Sequence, residues 1–125
     1  MSNFHGTHIM VDYTGFFPRI NDVETWILSL MERIVDDSSA RRVHSHVETF
    51  DGNQSPPGFA AVVLLDESHL TAHCYSTRGW LAVDCFTCGS TDTRKLIDEL
   101  DVAIREVAPD VKLEREQSNP RFIHR

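Results

Sequence analysis

Between Phe59 and Phe86 the chain sets three strand-like runs against two short breaks, and this stretch limits the possible fold more than any other. Phe59–Leu65 (FAAVVLL) is apolar at every position, the pattern of a strand covered on both faces and therefore central. Asp66-Glu67 breaks it. Leu70–Tyr75 and Trp80–Phe86 then make a hairpin-like pair about Ser76-Thr77-Arg78-Gly79.

The flanking segments supply the other layer. Ile9, Val11 and Tyr13 alternate with His8, Met10 and Asp12, which predicts a strand over His8–Tyr13 ended by Thr14-Gly15. Val23, Trp26, Ile27, Leu30, Met31 and Ile34 fall at helical spacing. Asn21 or Asp22 offers the cap, and Asp36-Asp37-Ser38-Ser39 closes the helix with acids at its negative end, a recipe for a frayed last turn. Arg42–Phe50 alternates as a strand with one mixed face, and residues 51–58 are turn and loop chemistry. Gly89-Ser90-Thr91 offers a cap for a second helix whose buried face is Leu96, Ile97, Leu100, Ala103, Ile104 and Val107, stopped by Pro109. Val111–Leu113 is expected as a short last strand, with a polar, mobile tail from Glu114. The order βαββββαβ predicts an α+β two-layer sandwich, a mainly antiparallel sheet with two helices on one face, in a single domain over residues 1–125.

Composition removes several function classes. A net charge of −7 argues against non-specific binding to nucleic acid or to an anionic membrane. No apolar run reaches the ~18–20 residues of a membrane helix, and Met1-Ser2-Asn3-Phe4-His5 lacks the pattern of a signal peptide. Three cysteines do not make a secreted disulfide framework, so a cytoplasmic protein is expected.

Chemistry concentrates in Asp66–Gly89, DESHLTAHCYSTRGWLAVDCFTCG. Ser68, His73 and Cys88 bring a hydroxyl, an imidazole and a thiol onto strand-like segments, where they are expected to converge on one face of the sheet. A serine at a tight turn can attack its own preceding carbonyl, converting amide to ester. Loss of the α-proton then expels the acyl chain, and hydrolysis leaves a pyruvoyl group, a keto electrophile that can form a Schiff base and accept electrons. Such a site needs a base and a proton donor, roles that suit His73 and Cys88. The residues alone also allow a Ser-His hydrolase, although no Gly-x-Ser-x-Gly turn surrounds Ser68.

Three motifs decide between these chemistries by resemblance. Glu67-Ser68-His69, Ala82-Val83-Asp84-Cys85-Phe86-Thr87-Cys88-Gly89 and the opening Gly6-Thr7-His8-Ile9-Met10-Val11-Asp12 resemble, over about Gly6 to Val111, the prokaryotic S-adenosylmethionine decarboxylase proenzymes. The resemblance implies self-cleavage between Glu67 and Ser68, giving a β chain 1–67 and an α chain 68–125 that begins with a pyruvoyl cofactor made from Ser68. It implies His73 as processing base, Cys88 as proton donor and Phe50 as the aromatic against the adenine. It also implies a small-molecule substrate, a homodimer of αβ units with active sites at the subunit interface, and a role in spermidine and polyamine synthesis.

The chain departs from the family pattern near His73. The family's His-Thr-Trp-Pro-Glu-Tyr-Gly is His73-Cys74-Tyr75-Ser76-Thr77-Arg78-Gly79 here. Tyr75 can still stack, Thr77 replaces an acid that would hold ribose hydroxyls, and Arg78 adds a cation suited to a substrate carboxylate. Ala60 stands where the family has a serine that assists processing. Phe50, Tyr75, Thr77 and Arg78 are thus the expected substrate-binding residues. A pyruvoyl-dependent ornithine or arginine decarboxylase is the alternative on the same fold, and an unprocessed binding module is the third reading. No metal site is expected: Cys85 and Cys88 form one Cys-x-x-Cys pair whose sulfurs a strand would point apart. Cys74 and Cys85 read as packing residues, and His44 and His46 as a half-exposed strand face.

Overall fold

A computed structural model describes residues 4–123. The elements run β1 (Phe4–Thr14), α1 (Val23–Asp36), β2 (Arg42–Phe50), β3 (Gly58–Leu65), β4 (Ser68–Tyr75), β5 (Trp80–Cys88), α2 (Thr93–Val107) and β6 (Lys112–Ile123), the expected order. The strands form one sheet, β2-β3-β4-β5-β1-β6, in which every neighbouring pair is antiparallel.

Both helices lie on one face of this sheet, α1 over β2 and β3 and α2 over β1 and β5. Alternate residues of the inner strands point into the layer between: Ile9, Val11 and Tyr13 from β1, Phe59, Ala61 and Val63 from β3, Leu70 and Ala72 from β4, and Leu81, Val83 and Cys85 from β5. They meet Ile27, Met31 and Ile34 of α1 and Leu96, Leu100 and Ile104 of α2. Burying an aliphatic side chain of this kind stabilises the fold by roughly 1.5–3 kcal/mol. Tyr13 donates its hydroxyl to Asp101 at 2.6 Å, and burial, then that bond, raises its pKa.

The opposite face carries Met10, Ala60, Val62, Leu64, His73, Tyr75, Trp80, Ala82 and Phe86, and no described helix covers it. Leu64, Tyr75 and Trp80 are each more than 40% exposed. β3 is therefore not sandwiched between two layers, as its unbroken apolar run suggests. Its outward residues sit on a bare sheet face.

Three local expectations are corrected. Asp22 occupies the α1 N-cap, but its left-handed backbone (φ 52°) leaves its side chain without a capping hydrogen bond. α2 is capped by Asp92, whose carboxylate accepts from Lys95 N at 3.1 Å, and not by the preceding Gly89-Ser90-Thr91. The α1 terminus is held because Arg42 bridges Asp36 and Glu32, setting a cation against the acidic end.

The largest correction is β6. In place of a three-residue strand and a mobile tail, residues 112–123 pair along β1 from Thr14↔Lys112 to Phe4↔Ile123. All twelve residues of this edge strand are exposed. It is held by backbone hydrogen bonds to β1 and by the Arg94–Glu116 ion pair (3.0 Å) from α2, so it needs no apolar alternation.

Candidate functional site

β3 and β4 are joined by the turn Asp66-Glu67, with Leu65 and Ser68 opposite each other. Glu67 has φ 62°, a left-handed conformation costing a side-chain-bearing residue roughly 1–2 kcal/mol. The turn is clamped from one side: Asp66 accepts both Nε and Nη2 of Arg41 at 2.7 and 2.8 Å, and its N–H donates to the Arg41 carbonyl at 3.0 Å. The Arg41 guanidinium lowers the Asp66 pKa.

From the other side the turn meets the end of β5. The β4–β5 ladder begins at His69↔Phe86, and beyond it the Cys88 backbone N–H donates to Ser68 Oγ at 3.2 Å. The Cys88 thiol lies 3.9 Å from the Glu67 carbonyl oxygen. Partial burial and the Glu67 carboxylate raise its pKa, so the thiol keeps its proton at neutral pH. Gly6 faces Cys88 across the β1–β5 ladder, and a Cβ there would stand 3.3 Å from Sγ and 3.0 Å from the Phe86 ring, so glycine leaves room for both.

Histidines that the sequence analysis gave no role complete this end of the sheet. His69 and His8 flank Phe86 on the bare face, with His69–Phe86 centroids 5.9 Å apart and the two imidazoles 6.0 Å apart. Burial, then the His8 charge, lowers the His69 pKa and favours its neutral form. His8 Nε2 is buried without a hydrogen-bond partner. Arg121 of β6 places its guanidinium 5.4 Å from the Phe86 ring centre, which brings the unexpected last strand to the same corner.

His73 is elsewhere. Five residues on a strand span roughly 16 Å, and an odd separation puts the two side chains on opposite faces. Ser68 and His73 therefore do not converge within one chain, against the expectation. The reason is the two-residue period of the strand. His73 sits between Ala60 of β3 and Ala82 of β5. There it lines a cleft of ≈ 270 Å³ with Phe50, Tyr75, Ala60 and Ser55, the last from the loop that precedes β3. Thr77 and Arg78 occupy the adjoining turn and do not line this cleft. The Arg78 guanidinium stacks 4.7 Å from the Trp80 ring centre, and Trp80 meets Tyr75 edge-on at 5.9 Å. A stacked guanidinium keeps its in-plane N–H groups for a carboxylate.

The remaining cysteines are core residues. Burial pushes Cys74 up to about 11 and Cys85 up to about 12, and Cys85 points into the helix layer, away from Cys88. His46 bonds Glu48 at 2.9 Å on the exposed β2 edge. No helix among the described residues is long and apolar enough to cross a membrane.

Comparison with known proteins gives a consistent set. The family profile described as S-adenosylmethionine decarboxylase matches residues 7–113. An S-adenosylmethionine decarboxylase proenzyme of Brevibacillus brevis is 39% identical over 98 residues, covering 76% of this chain and 69% of that protein. The proenzyme of a Sulfurihydrogenibium species is 31% identical over 105 residues, covering 83% and 74%. The crystal structure of the adenosylmethionine decarboxylase from Aquifex aeolicus aligns with a TM-score of 0.69 over 99% of this chain and 96% of that one. At 24% identity this likeness shows the fold.

Proposed function

The chain belongs to the S-adenosylmethionine decarboxylase family, and from that premise we propose that it is a self-processing decarboxylase of S-adenosylmethionine that carries a pyruvoyl group made from Ser68. The observation that carries the proposal is the Glu67–Ser68 turn. A left-handed residue precedes the serine, the serine oxygen is held by the Cys88 N–H, and the Cys88 thiol lies beside the carbonyl to be attacked.

Self-cleavage follows from these groups. Ser68 Oγ adds to the Glu67 carbonyl carbon and its proton passes to a base. The adduct then collapses, breaking the C–N bond as the base returns the proton to the departing Ser68 nitrogen, and the Cys88 thiol is positioned to donate toward the carbonyl oxygen. A base then removes the Ser68 α-proton, the Cβ–Oγ bond breaks to release the α-carboxylate of residue 67 as a new C-terminus, and water hydrolyses the resulting imine to the keto group and ammonia. Once formed from Ser68, the pyruvoyl group would supply a keto carbonyl for the substrate amine and an electron sink for loss of CO2. Cys88, a neutral thiol at this point of the chain, is the proton donor.

His73 is the expected processing base, yet it lies about five strand residues from Ser68 on the other face. We therefore assign the working enzyme to a homodimer in which one copy's His73 cleft packs against its partner's cleavage end and supplies the base there. Exposed Leu64, Tyr75 and Trp80 on the bare sheet face support this arrangement. The open cleft between Phe50 and Tyr75 favours a nucleoside-bearing substrate over a free basic amino acid, and Arg78 beside it suits the substrate carboxylate. The product is then an aminopropyl donor for polyamine synthesis in the cytoplasm. The test is release of labelled CO2 from S-adenosylmethionine, ornithine and arginine in parallel. Turnover confined to the first is expected, and turnover confined to an amino acid would overturn the substrate assignment.

A further inference from the structure

The cleavage corner also gathers three donors of a kind no proton-transfer scheme needs together. The ring nitrogen of His5, a carboxylate oxygen of Glu67 and the Cys88 sulfur all lie within 4.8 Å of one another. We propose that His5, Glu67 and Cys88 form a binding site for a borderline-soft divalent cation of the zinc class.

The donor set argues for that class. One nitrogen, one sulfur and one carboxylate oxygen suit zinc or cobalt, whereas magnesium and calcium take oxygen alone. With bonds of about 2.0–2.3 Å, neighbouring ligands of a tetrahedral ion stand roughly 3.3–3.8 Å apart. The three groups are thus within a side-chain rotation of ligating distance. They leave a fourth position open.

The backbone that carries the donors is already tied together. The Gly89 N–H donates to the His5 carbonyl at 3.2 Å, Gly6 pairs with Cys88, and the Cys88 N–H holds Ser68 beside Glu67. Three chain segments distant in sequence are therefore pinned at one point, and the ion has no loop to order. His5 and Glu67 are exposed and Cys88 is half-buried, so a hydrated ion can reach all three.

Metal binding does not depend on the proposed activity, but its consequence rests on that reading. Cys88 is the group assigned to proton donation, so a bound cation withholds the thiol, and loading and turnover exclude each other.

The experiment is titration of the purified chain, kept uncut by S68A, with Co2+ under a non-thiol reductant, followed by the sulfur-to-cobalt charge-transfer absorption and then by displacement with Zn2+. Saturation at one ion per chain is expected, with loss of the band in C88S and affinity weakened about 10-fold or more in both H5Q and E67Q. H5Q alters an exposed side chain, so it remains informative if C88S fails to fold. Absence of the band, its persistence in C88S, or unchanged affinity in H5Q and E67Q would overturn the site. Binding is read on the uncut S68A chain and activity on the wild type, so an inactive wild type whose S68A chain binds cobalt sinks only the activity, and an active wild type whose S68A chain does not bind sinks only the metal.

Discussion

The two ends of β4 are built in different ways. At its start, the Asp66-Glu67 turn, the Arg41 clamp and the Cys88 N–H fix Ser68 with groups from one chain. At its finish, His73, Phe50 and Tyr75 line a cleft that opens onto a bare sheet face, with Phe50 and Tyr75 each more than a third exposed. The first end holds its serine and thiol within one chain but lacks the base proposed for it, and the second opens onto a face that no described helix covers. On the proposed roles, Ser68 and His73 stand on opposite faces of one strand and meet only if a second copy supplies the base.

That contrast breaks most sharply by complementation. H73A alone is expected to lose self-cleavage almost entirely, since general-base catalysis supplies about 10²–10⁴-fold. Co-expressed with S68A, the H73A chain should be cut, because its partner lends an intact His73. If H73A chains cleave unaided, the base belongs to the first end, and neutral His69 beside Ser68 takes the role.

A smaller effect separates the ends in the mature enzyme. C88S keeps the backbone N–H on Ser68, so the chain should still cleave while kcat falls about 10²–10³-fold. F50A should cleave normally and raise KM by about 10-fold, the loss expected when one aromatic leaves a binding cleft. A kcat defect in F50A together with a KM defect in C88S would reverse the assignment of the two ends.

The smallest effect lies in the pH dependence of stability. Burial holds His69 below its ordinary 6.5, so as pH falls the unfolded chain takes up that proton before the folded one does. Stability from this group is complete above 6.5 and lost as pH drops below it. H69Q should flatten the slope of unfolding free energy against pH on the acid side, and an unchanged slope would deny His69 its half-buried, neutral state.

Much of this was legible in the sequence because periodicity reports burial. The helix faces around Leu30 and Leu100 and the alternation of β1 and β5 all record which side meets the core. β6 was not legible for the same reason: an edge strand exposed along its length is held by backbone pairing, and Glu114–Ile123 carries no alternation to read. The motif at Glu67-Ser68-His69 gave the site its place. The sequence alone also held a clue to its geometry, since an interval of five on a strand forbids Ser68 and His73 from sharing a face. The contributions of His5, His8 and Arg121 were hidden because they depend on β1 lying between β5 and β6, and strand order is not written in any local pattern.

The central claim is that the chain cuts itself between Glu67 and Ser68, and the intact mass of freshly purified protein under denaturing conditions tests it most directly. The account predicts two fragments of 67 and 58 residues, the second beginning with a reducible pyruvoyl group, and a single uncut species in S68A. A wild-type chain that remains one 14.2 kDa species over days would contradict it.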